Sequence, residues 1–269
     1  MPTHTLFQID AFASHVFSGN PAAVVPLHSW LDDSTLQAIA AENNLSETAF
    51  FVPGGADGTD FDLRWMTPAS EVDLCGHATL ASAHALWTHL GWDRDRVVFS
   101  SRSGPLTVRR EGELYEMDFP ALPVEPSRAD DTLVHALGGR PAEVYTGMDL
   151  ICVFDNEREI MELNPDFGML KQIEGVRAVG VTAPGRSHDF VSRLFAPAVG
   201  VDEDPVTGSL HCLLAPYWAD RLGRSRLVAR QVSKRGGEIR CTVDGDRVRL
   251  SGRAVTYLEG TITVGDGPR

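Results

Sequence analysis

Two stretches of the chain follow the same order of residues, and this internal duplication constrains the fold more than any single motif. The matching segments are Arg64–Pro68 with Arg193–Pro197, Asp73–His77 with Asp204–Ser209, and the apolar runs that end at Gly91 and Gly223. Gly76 lies 15 residues before Gly91, and Gly208 lies 15 residues before Gly223. Each copy predicts a strand, a loop, a glycine and a helix of about four turns with a glycine C-cap. A chain built twice on one plan is expected to have a cleft between its halves, with a helix N-terminus from each half facing it.

Composition limits the classes of function. The 269 residues suit two domains of about 130 residues each. A formal net charge of −13 disfavours nucleic acid and anionic membranes as partners. No apolar run approaches the roughly 20 residues that span a bilayer, and the first residues lack a signal-peptide pattern. The four cysteines have no metal or disulfide spacing, so a cytoplasmic protein with reduced thiols is expected.

Proline content predicts where the two domains meet. Residues Pro120–Pro126 include three prolines and indicate an interdomain linker. We therefore predict a first domain over residues 1–121 and a second over residues 128–260. A last strand near residues 261–269 can cross back to complete the first domain. Short helices are expected at Ser34–Glu42, after an Asp32 or Asp33 N-cap, and near Asp131–Leu137.

The candidate chemistry lies beside the two glycine-marked helix starts. A helix N-terminus offers unpaired N–H groups and about half a positive charge, so it favours a carboxylate or a developing oxyanion. Glu47, His77 and Asp204 supply acidic and imidazole groups nearby in the pattern. Local pattern alone favours a solvated helix end for Glu47, a first-turn polar residue for His77 and an N-cap region for Asp204. The recurrence of the glycine positions in one duplicated frame shifts the balance towards a functional site.

Several motifs together resemble one protein family. They are Gln8–Phe12, Ser18–Ala23, Asn44–Phe50, Arg64–Pro68, Cys75–Thr79 and Asp202–Ser209 with His211. In this order the chain resembles the PhzF-like family, the phenazine-biosynthesis-like branch of the diaminopimelate epimerase fold. The resemblance implies an α+β protein of two pseudo-symmetric domains, each a curved mixed β-sheet wrapped around a central α-helix. The central helices would be His77–Leu90 and Ser209–Leu222.

The same resemblance implies roles for individual residues. Glu47 becomes the acid/base that transfers the proton, with His77 and Asp204 as its polar companions. Four further residues would contact the substrate carboxylate or the acid/base: Ser46, Gly76, Gly208 and Ser209. The resemblance also implies a homodimer and a small carboxylate-bearing substrate. No fingerprint for a dinucleotide, a phosphate loop or a metal-type cluster is present in the sequence, so we expect neither a cofactor nor a metal.

A single cysteine leaves two alternatives open. Racemases of this fold resemble one another in placing a thiol at each central helix start, and here only the first start carries one, Cys75. The helix dipole there could lower the pKa of Cys75, and burial in apolar surroundings is expected to raise that of Glu47. The sequence thus favours a cofactor-independent isomerase or epimerase, acting by proton abstraction and return. A thiol-based racemase using Cys75 and a non-catalytic carboxylate-binding protein are the alternatives. Leu210 replaces the alanine usual in this family and bears on pocket size.

Overall fold

The computed structural model describes residues 1–54 and 58–265, which form two compact units. Unit 1 comprises residues 1–118 and 251–269, and unit 2 comprises residues 119–250. The predicted linker Pro120–Pro126 is not free, because Ala121 and Leu122 donate backbone hydrogen bonds to unit 2 carbonyls and Glu125–Ser127 forms a strand. The first segment of unit 1 therefore ends at residue 118, three residues before the predicted end of the first domain at residue 121. Residues 266–269 of the predicted last strand lie outside the described ranges.

Unit 1 is a mixed sheet with two helices. In chain order its elements are β1 (Thr3–Ala11), β2 (Asn20–Pro26), α1 (Asp33–Asn43), β3 (Glu47–Pro53), β4 (Phe61–Met66), β5 (Glu71–Val72), α2 (Gly76–Thr88), β6 (Arg96–Ser101), β7 (Gly104–Glu111) and β8 (Leu114–Pro120), whose last two residues belong to unit 2. The pairs β2–β3 and β4–β6 are parallel, and the other described pairs are antiparallel. The helix predicted at Ser34–Glu42 is confirmed as α1, with Asp32 as its N-cap accepting from the Thr35 N–H.

Unit 2 repeats the same strand pattern. Its elements are β9 (Glu125–Ser127), α3 (Asp131–Leu137), β10 (Glu143–Thr146), β11 (Leu150–Val153), α4 (Glu157–Glu162), α5 (Phe167–Leu170), β12 (Val179–Pro184), β13 (Phe190–Ala196), a 3₁₀ turn (Pro197–Val199), β14 (Val201–Asp204), α6 (Gly208–Leu222), β15 (Arg226–Gln231), β16 (Gly237–Asp244) and β17 (Arg247–Gly252), whose last two residues belong to unit 1. The parallel pairs are β11–β12 and β13–β15, which match β2–β3 and β4–β6. The helix predicted near Asp131–Leu137 is confirmed as α3. Helices α4 and α5 were not predicted.

The last strand, β18 (Ala254–Thr263), belongs wholly to unit 1. It pairs with β1 in antiparallel fashion from Ala11↔Ala254 to Thr3↔Thr263, with one bulge at Gln8/Ile9. The crossing strand therefore starts well before residue 261, and residues 254–260 do not belong to unit 2 as predicted. The physical reason is the length of β1, whose nine residues offer a complete edge for β18.

Equivalent ion pairs within the two units show the duplication directly. In unit 1 the Arg64 guanidinium binds Glu71 through two hydrogen bonds of 2.8 Å each, and in unit 2 Arg193 binds Glu203 at 2.7 and 3.1 Å. Both pairs join the equivalent antiparallel strands, β4–β5 and β13–β14.

A second matched pair lies at the other end of these strands. The Asp60 carboxylate accepts from Arg94 and from the Val98 N–H, while Asp189 accepts from Arg224 and from the Val228 N–H. Each unit therefore has the same polar contacts as well as the same strand order.

Alanine and leucine make up most of the buried residues of the two central helices. Every residue of α2 from His77 to Trp87 is buried, and four of them are alanines that let strands approach closely. In α6 the residues from Leu210 to Ala215 and Trp218 are buried. The predicted glycine C-cap is confirmed for α6, where Gly223 takes a left-handed conformation. It is wrong for α2, which ends at Thr88 with His89 as its C-cap, and Gly91 instead supplies a left-handed turn beyond the helix.

Candidate functional site

Three chemically active side chains meet at the start of α2 in unit 1. Glu47 is the first residue of β3, which is fixed by parallel pairing with β2. Cys75 is the N-cap of α2 and His77 is its second residue. Strand β3 and the helix start thus bring together residues that are far apart in the sequence.

The imidazole of His77 lies between the thiol and the carboxylate. Its Nε2 is 3.1 Å from Oε2 of Glu47, and its Nδ1 is 3.5 Å from Sγ of Cys75. The side chain of His77 is 8% exposed and that of Glu47 is 18% exposed. Although Nε2 and Oε2 are close enough for an ion pair, neither atom makes an aligned hydrogen bond within the described part of the chain. Both atoms therefore keep bonding capacity for a third group.

Electrostatics make Glu47 and His77 an ion pair. Burial by itself raises the pKa of Glu47, but the charge of His77 and the polar contacts from His77 and Cys75 outweigh it and lower the pKa below 4.5. Burial opposes protonation of His77, yet its neighbours Cys75 and Glu47 raise its pKa well above 6.5. We attribute that rise chiefly to Glu47, because the Cys75 thiol is uncharged at neutral pH. The expectation of a raised Glu47 pKa is therefore wrong, because sequence reasoning did not see His77 beside it.

The Cys75 thiol is protonated rather than activated. Its burial, followed by the nearby charge of Glu47, raises its pKa above the ordinary value, and the smaller effect of His77 does not reverse this. The expected lowering by the helix dipole is not found. A thiol base at this helix start therefore loses its physical support.

The other unit 1 residues named from the sequence lie on the same elements. Ser46 directly precedes β3, and its hydroxyl donates to Oδ1 of the buried Asn20 at 3.4 Å. Gly76 is the first residue of α2, where backbone N–H groups lack partners within the helix. The structure thus brings Ser46, Glu47, Gly76 and His77 into one unit.

Unit 2 carries the remaining candidates at the start of α6. Asp204 ends β14, Gly208 is the first residue of α6 and Ser209 is the second. The Asp204 carboxylate accepts a short hydrogen bond from the Thr207 hydroxyl. This loop is the unit 2 counterpart of residues 73–75.

Two buried residues hold the Asp204 loop. The Gln231 amide accepts from the Thr207 N–H at 2.9 Å and donates to the Asp204 carbonyl at 2.7 Å. Nδ1 of His211 donates to the Thr207 carbonyl at 2.7 Å, and burial lowers the pKa of His211 to about 4, which keeps its ring neutral. Sequence reasoning missed Gln231 and Thr207, because no local pattern links the end of β15 to this loop.

The strand register identifies which residues occupy equivalent places in the two units. Phe50 pairs with Arg64, and Val181 pairs with Arg193, so Ala178 in unit 2 corresponds to Glu47 in unit 1. By the helix starts, Thr207 corresponds to Cys75 and Ser209 to His77. The scaffold is repeated, but the carboxylate, thiol and imidazole are not.

The three groups are also a possible ligand set for a metal. One donor atom from each of Glu47, Cys75 and His77 lies within 4.8 Å of the others. We expected no metal from the sequence, because Glu47 lies far along the chain from Cys75 and His77 and on a different element. Within the described residues, no helix is long and apolar enough to cross a membrane.

Comparison with known proteins identifies the family of the chain. The model of the family described as phenazine biosynthesis-like protein matches residues 9–260. The chain belongs to the phenazine biosynthesis-like (PhzF) family. It is 55% identical to an "uncharacterized isomerase" of Pseudomonas aeruginosa over 96% of this chain and 98% of that protein. The fold and the family implied by the sequence motifs are both confirmed.

Solved structures agree. A PhzF family protein of Enterococcus faecalis aligns with a TM-score of 0.94 at 44% identity, covering 98% of this chain and 100% of that one. A hydroxyproline epimerase of Agrobacterium vitis aligns with a TM-score of 0.62 at 11% identity over 97% of this chain and 91% of that one, which shows a shared fold alone. The isomerase class is supported by the curated relatives, such as the "uncharacterized isomerase" of Pseudomonas aeruginosa.

Proposed function

We propose that the protein is a cofactor-independent isomerase of a small carboxylate-bearing metabolite, with Glu47 as the base that removes and returns a carbon-bound proton. The observation that carries the proposal is the pairing of a buried, ionised Glu47 with His77 at the start of α2. A base must begin deprotonated, and the lowered pKa of Glu47 meets that requirement at neutral pH. The N–H groups at the helix start would stabilise the negative charge left on the substrate.

The proposed chemical step is a proton transfer without a covalent intermediate. The substrate C–H bond breaks, its proton passes to a carboxylate oxygen of Glu47, and its electron pair moves into an enolate-like system. Glu47 then returns the proton to a carbon of the same substrate. His77 would hold the carboxylate in place and balance its charge before the transfer.

The asymmetry between the units favours isomerisation over inversion of a centre. A single base returns a proton to the face from which it came, so it moves a double bond more readily than it inverts stereochemistry. Ala178 occupies the position in unit 2 that Glu47 occupies in unit 1, which argues against a symmetry-related second base. On the same proposal, Asp204 acts as a further polar group, while Ser46, Gly76, Gly208 and Ser209 bind the substrate carboxylate.

Glu47→Gln tests the assignment because it keeps the shape of the side chain and removes its basicity. We would first find binding carboxylates by thermal shift and then follow deuterium incorporation from heavy water. The rate should fall by about 10²–10⁴-fold, the usual contribution of general acid–base catalysis. Cys75→Ser is the matched control at the same site and should retain most of the exchange.

Two other outcomes would replace the proposal. Exchange that survives Glu47→Gln but disappears in Cys75→Ser would support a thiol-based racemase. Tight carboxylate binding by the wild-type protein without any exchange would indicate a non-catalytic binding protein.

A further inference from the structure

The proposed proton transfer makes no chemical use of the Cys75 thiol, although the thiol lies in the same cluster as the base. Sγ of Cys75 is 3.5 Å from Nδ1 of His77, and one donor atom from each of the three side chains lies within 4.8 Å of the others. Thiolate, imidazole and carboxylate are the three side-chain ligand types that zinc accepts in proteins. If Cys75 only packed against apolar side chains, it would need neither an imidazole nor a carboxylate beside it.

A second observation points to a missing third partner. Nε2 of His77 and Oε2 of Glu47 are 3.1 Å apart, and neither makes an aligned hydrogen bond within the residues described. Two ligands of a tetrahedral zinc ion, each about 2.0–2.2 Å from the metal, are separated by roughly 3.3 Å. The distance between these two atoms of the ion pair is therefore close to one edge of a zinc coordination tetrahedron.

We propose that Glu47, Cys75 and His77 bind a zinc-type divalent cation, and that this cation blocks the enzyme by occupying its base. The first part concerns the cluster alone, whereas the second rests on the proposed function. On binding, the Cys75 S–H bond and the His77 Nε2–H bond break, both protons pass to solvent, and sulfur–metal and nitrogen–metal bonds form. Three protein ligands leave a fourth tetrahedral position for water or a substrate carboxylate.

Binding through Nε2 requires one local movement. The thiol now lies beside Nδ1 of His77, while the carboxylate lies beside Nε2. Cys75 is the N-cap of α2 but makes no side-chain capping hydrogen bond, so its side chain can rotate without breaking a cap. The three donor atoms already lie within 4.8 Å of one another, so a short movement of the thiol is enough to bring them to one ion.

Cobalt(II) titration of the purified full-length protein tests the site without using activity. Cobalt replaces zinc in tetrahedral sites, and a thiolate ligand gives a strong charge-transfer band in the near ultraviolet. We expect a band that saturates at one cobalt per chain and disappears when zinc is added. Cys75→Ser should abolish the band and weaken cobalt binding at least about 100-fold, since even residues that only support a ligand cost about 10–100-fold.

Matched variants separate ligand loss from misfolding. Cys152→Ala removes a different buried thiol and should leave the cobalt band unchanged. His77→Gln should weaken cobalt binding as Cys75→Ser does, and circular dichroism should show that both variants remain folded. A wild-type protein without the band, or a band that persists in Cys75→Ser, would overturn the metal site.

The inhibitory part has its own readout. Zinc should abolish deuterium exchange over the same concentration range in which it displaces cobalt, and a chelator should restore the exchange. Full exchange at saturating zinc would overturn inhibition while leaving the metal site standing. If Glu47→Gln retained exchange, the proposed function would fail, and the cobalt spectrum would still decide the metal site.

Discussion

The clearest prediction for stability concerns a chain of hydrogen bonds between α2 and β18. Oγ1 of Thr256 lies 2.9 Å from Nε2 of His84 and 2.8 Å from Nε2 of His89. Nδ1 of His84 lies 2.9 Å from the Tyr115 hydroxyl, and Nδ1 of His89 is 3.4 Å from Oε2 of Glu259. All five side chains belong to unit 1.

The single hydroxyl proton of Thr256 fixes the direction of this chain. We assign the ring proton of His89 to Nδ1, which faces the Glu259 carboxylate, so that Nε2 of His89 accepts from Thr256. Nε2 of His84 therefore donates to Thr256, and Nδ1 of His84 accepts from Tyr115. This requires a neutral His84, in agreement with burial, which lowers its pKa to about 4.

Thr256→Val removes the hydroxyl and retains the branched shape that suits a strand. The buried His84 N–H loses its acceptor and His89 loses its donor. Leaving a buried polar group unsatisfied costs about 1–3 kcal/mol, so we expect a loss of about 2–4 kcal/mol, with the smaller share from the partly exposed His89. For a domain of this size, that lowers the midpoint of thermal unfolding by roughly 4–16 °C.

Thr256→Ser is the matched control, because it retains the hydroxyl and loses one methyl group, worth about 0.8 kcal/mol. Both variants can be compared by calorimetry and by hydrogen exchange of the β18 amides. Equal stability of the two variants would refute the directed chain, because the hydroxyl would then contribute nothing.

Three further predictions concern the site and the assembly. His77→Gln removes the charge that lowers the pKa of Glu47 and leaves the opposing effect of burial, so the pKa of Glu47 should rise. The acidic limb of the pH–rate profile should therefore move to higher pH. An unmoved limb would contradict the ion pair. In the wild type the pair is intact between the lowered pKa of Glu47 and the raised pKa of His77, so activity should fall below the first and above the second. Gly208→Ala should keep the fold, because the new Cβ meets only Leu250 Cδ1 at 3.8 Å. The variant should nevertheless weaken carboxylate binding by about 1.5–3 kcal/mol if one charge-assisted hydrogen bond from the helix start is lost. Unchanged affinity in calorimetry would remove Gly208 from the site. Sedimentation should give twice the 29.3 kDa chain mass for the predicted homodimer, and a mass near 29.3 kDa at micromolar concentration would exclude it.

The parts of the fold that follow from local sequence signals could be predicted. Helix α1 follows Asp32, whose side chain caps it, and α6 ends at Gly223, which takes the left-handed conformation that glycine favours. The duplicated glycines predicted the starts of α2 and α6 to within one residue, since the helices predicted from His77 and Ser209 begin at Gly76 and Gly208. The short helices α4 and α5 escaped prediction, because one turn or two gives too little periodicity to recognise.

Contacts between distant segments could not be predicted from pattern. The sequence places Glu47 among apolar residues and so indicates a raised pKa, but the fold puts His77 3.1 Å from its carboxylate. The same contact reverses the direction of the pKa shift. Likewise, the Gln231 amide that holds the Asp204 loop comes from the end of β15, and only the parallel pairing of β13 with β15 brings it there.

Duplication explains how one unit can carry the proposed base while the other keeps the same scaffold without it. Ion pairs such as Arg64–Glu71 and Arg193–Glu203 fix the same strands in both units, so the scaffold does not depend on the residue at the start of β3 or its counterpart. Ala178 shows that this position tolerates a small apolar side chain, whereas Glu47 carries the desolvation cost of a buried charge. That cost is offset by His77. In unit 2 the equivalent position is occupied by Ser209. On the proposed function, the desolvation cost of Glu47 and its pairing with His77 serve the proton transfer and not the stability of the scaffold.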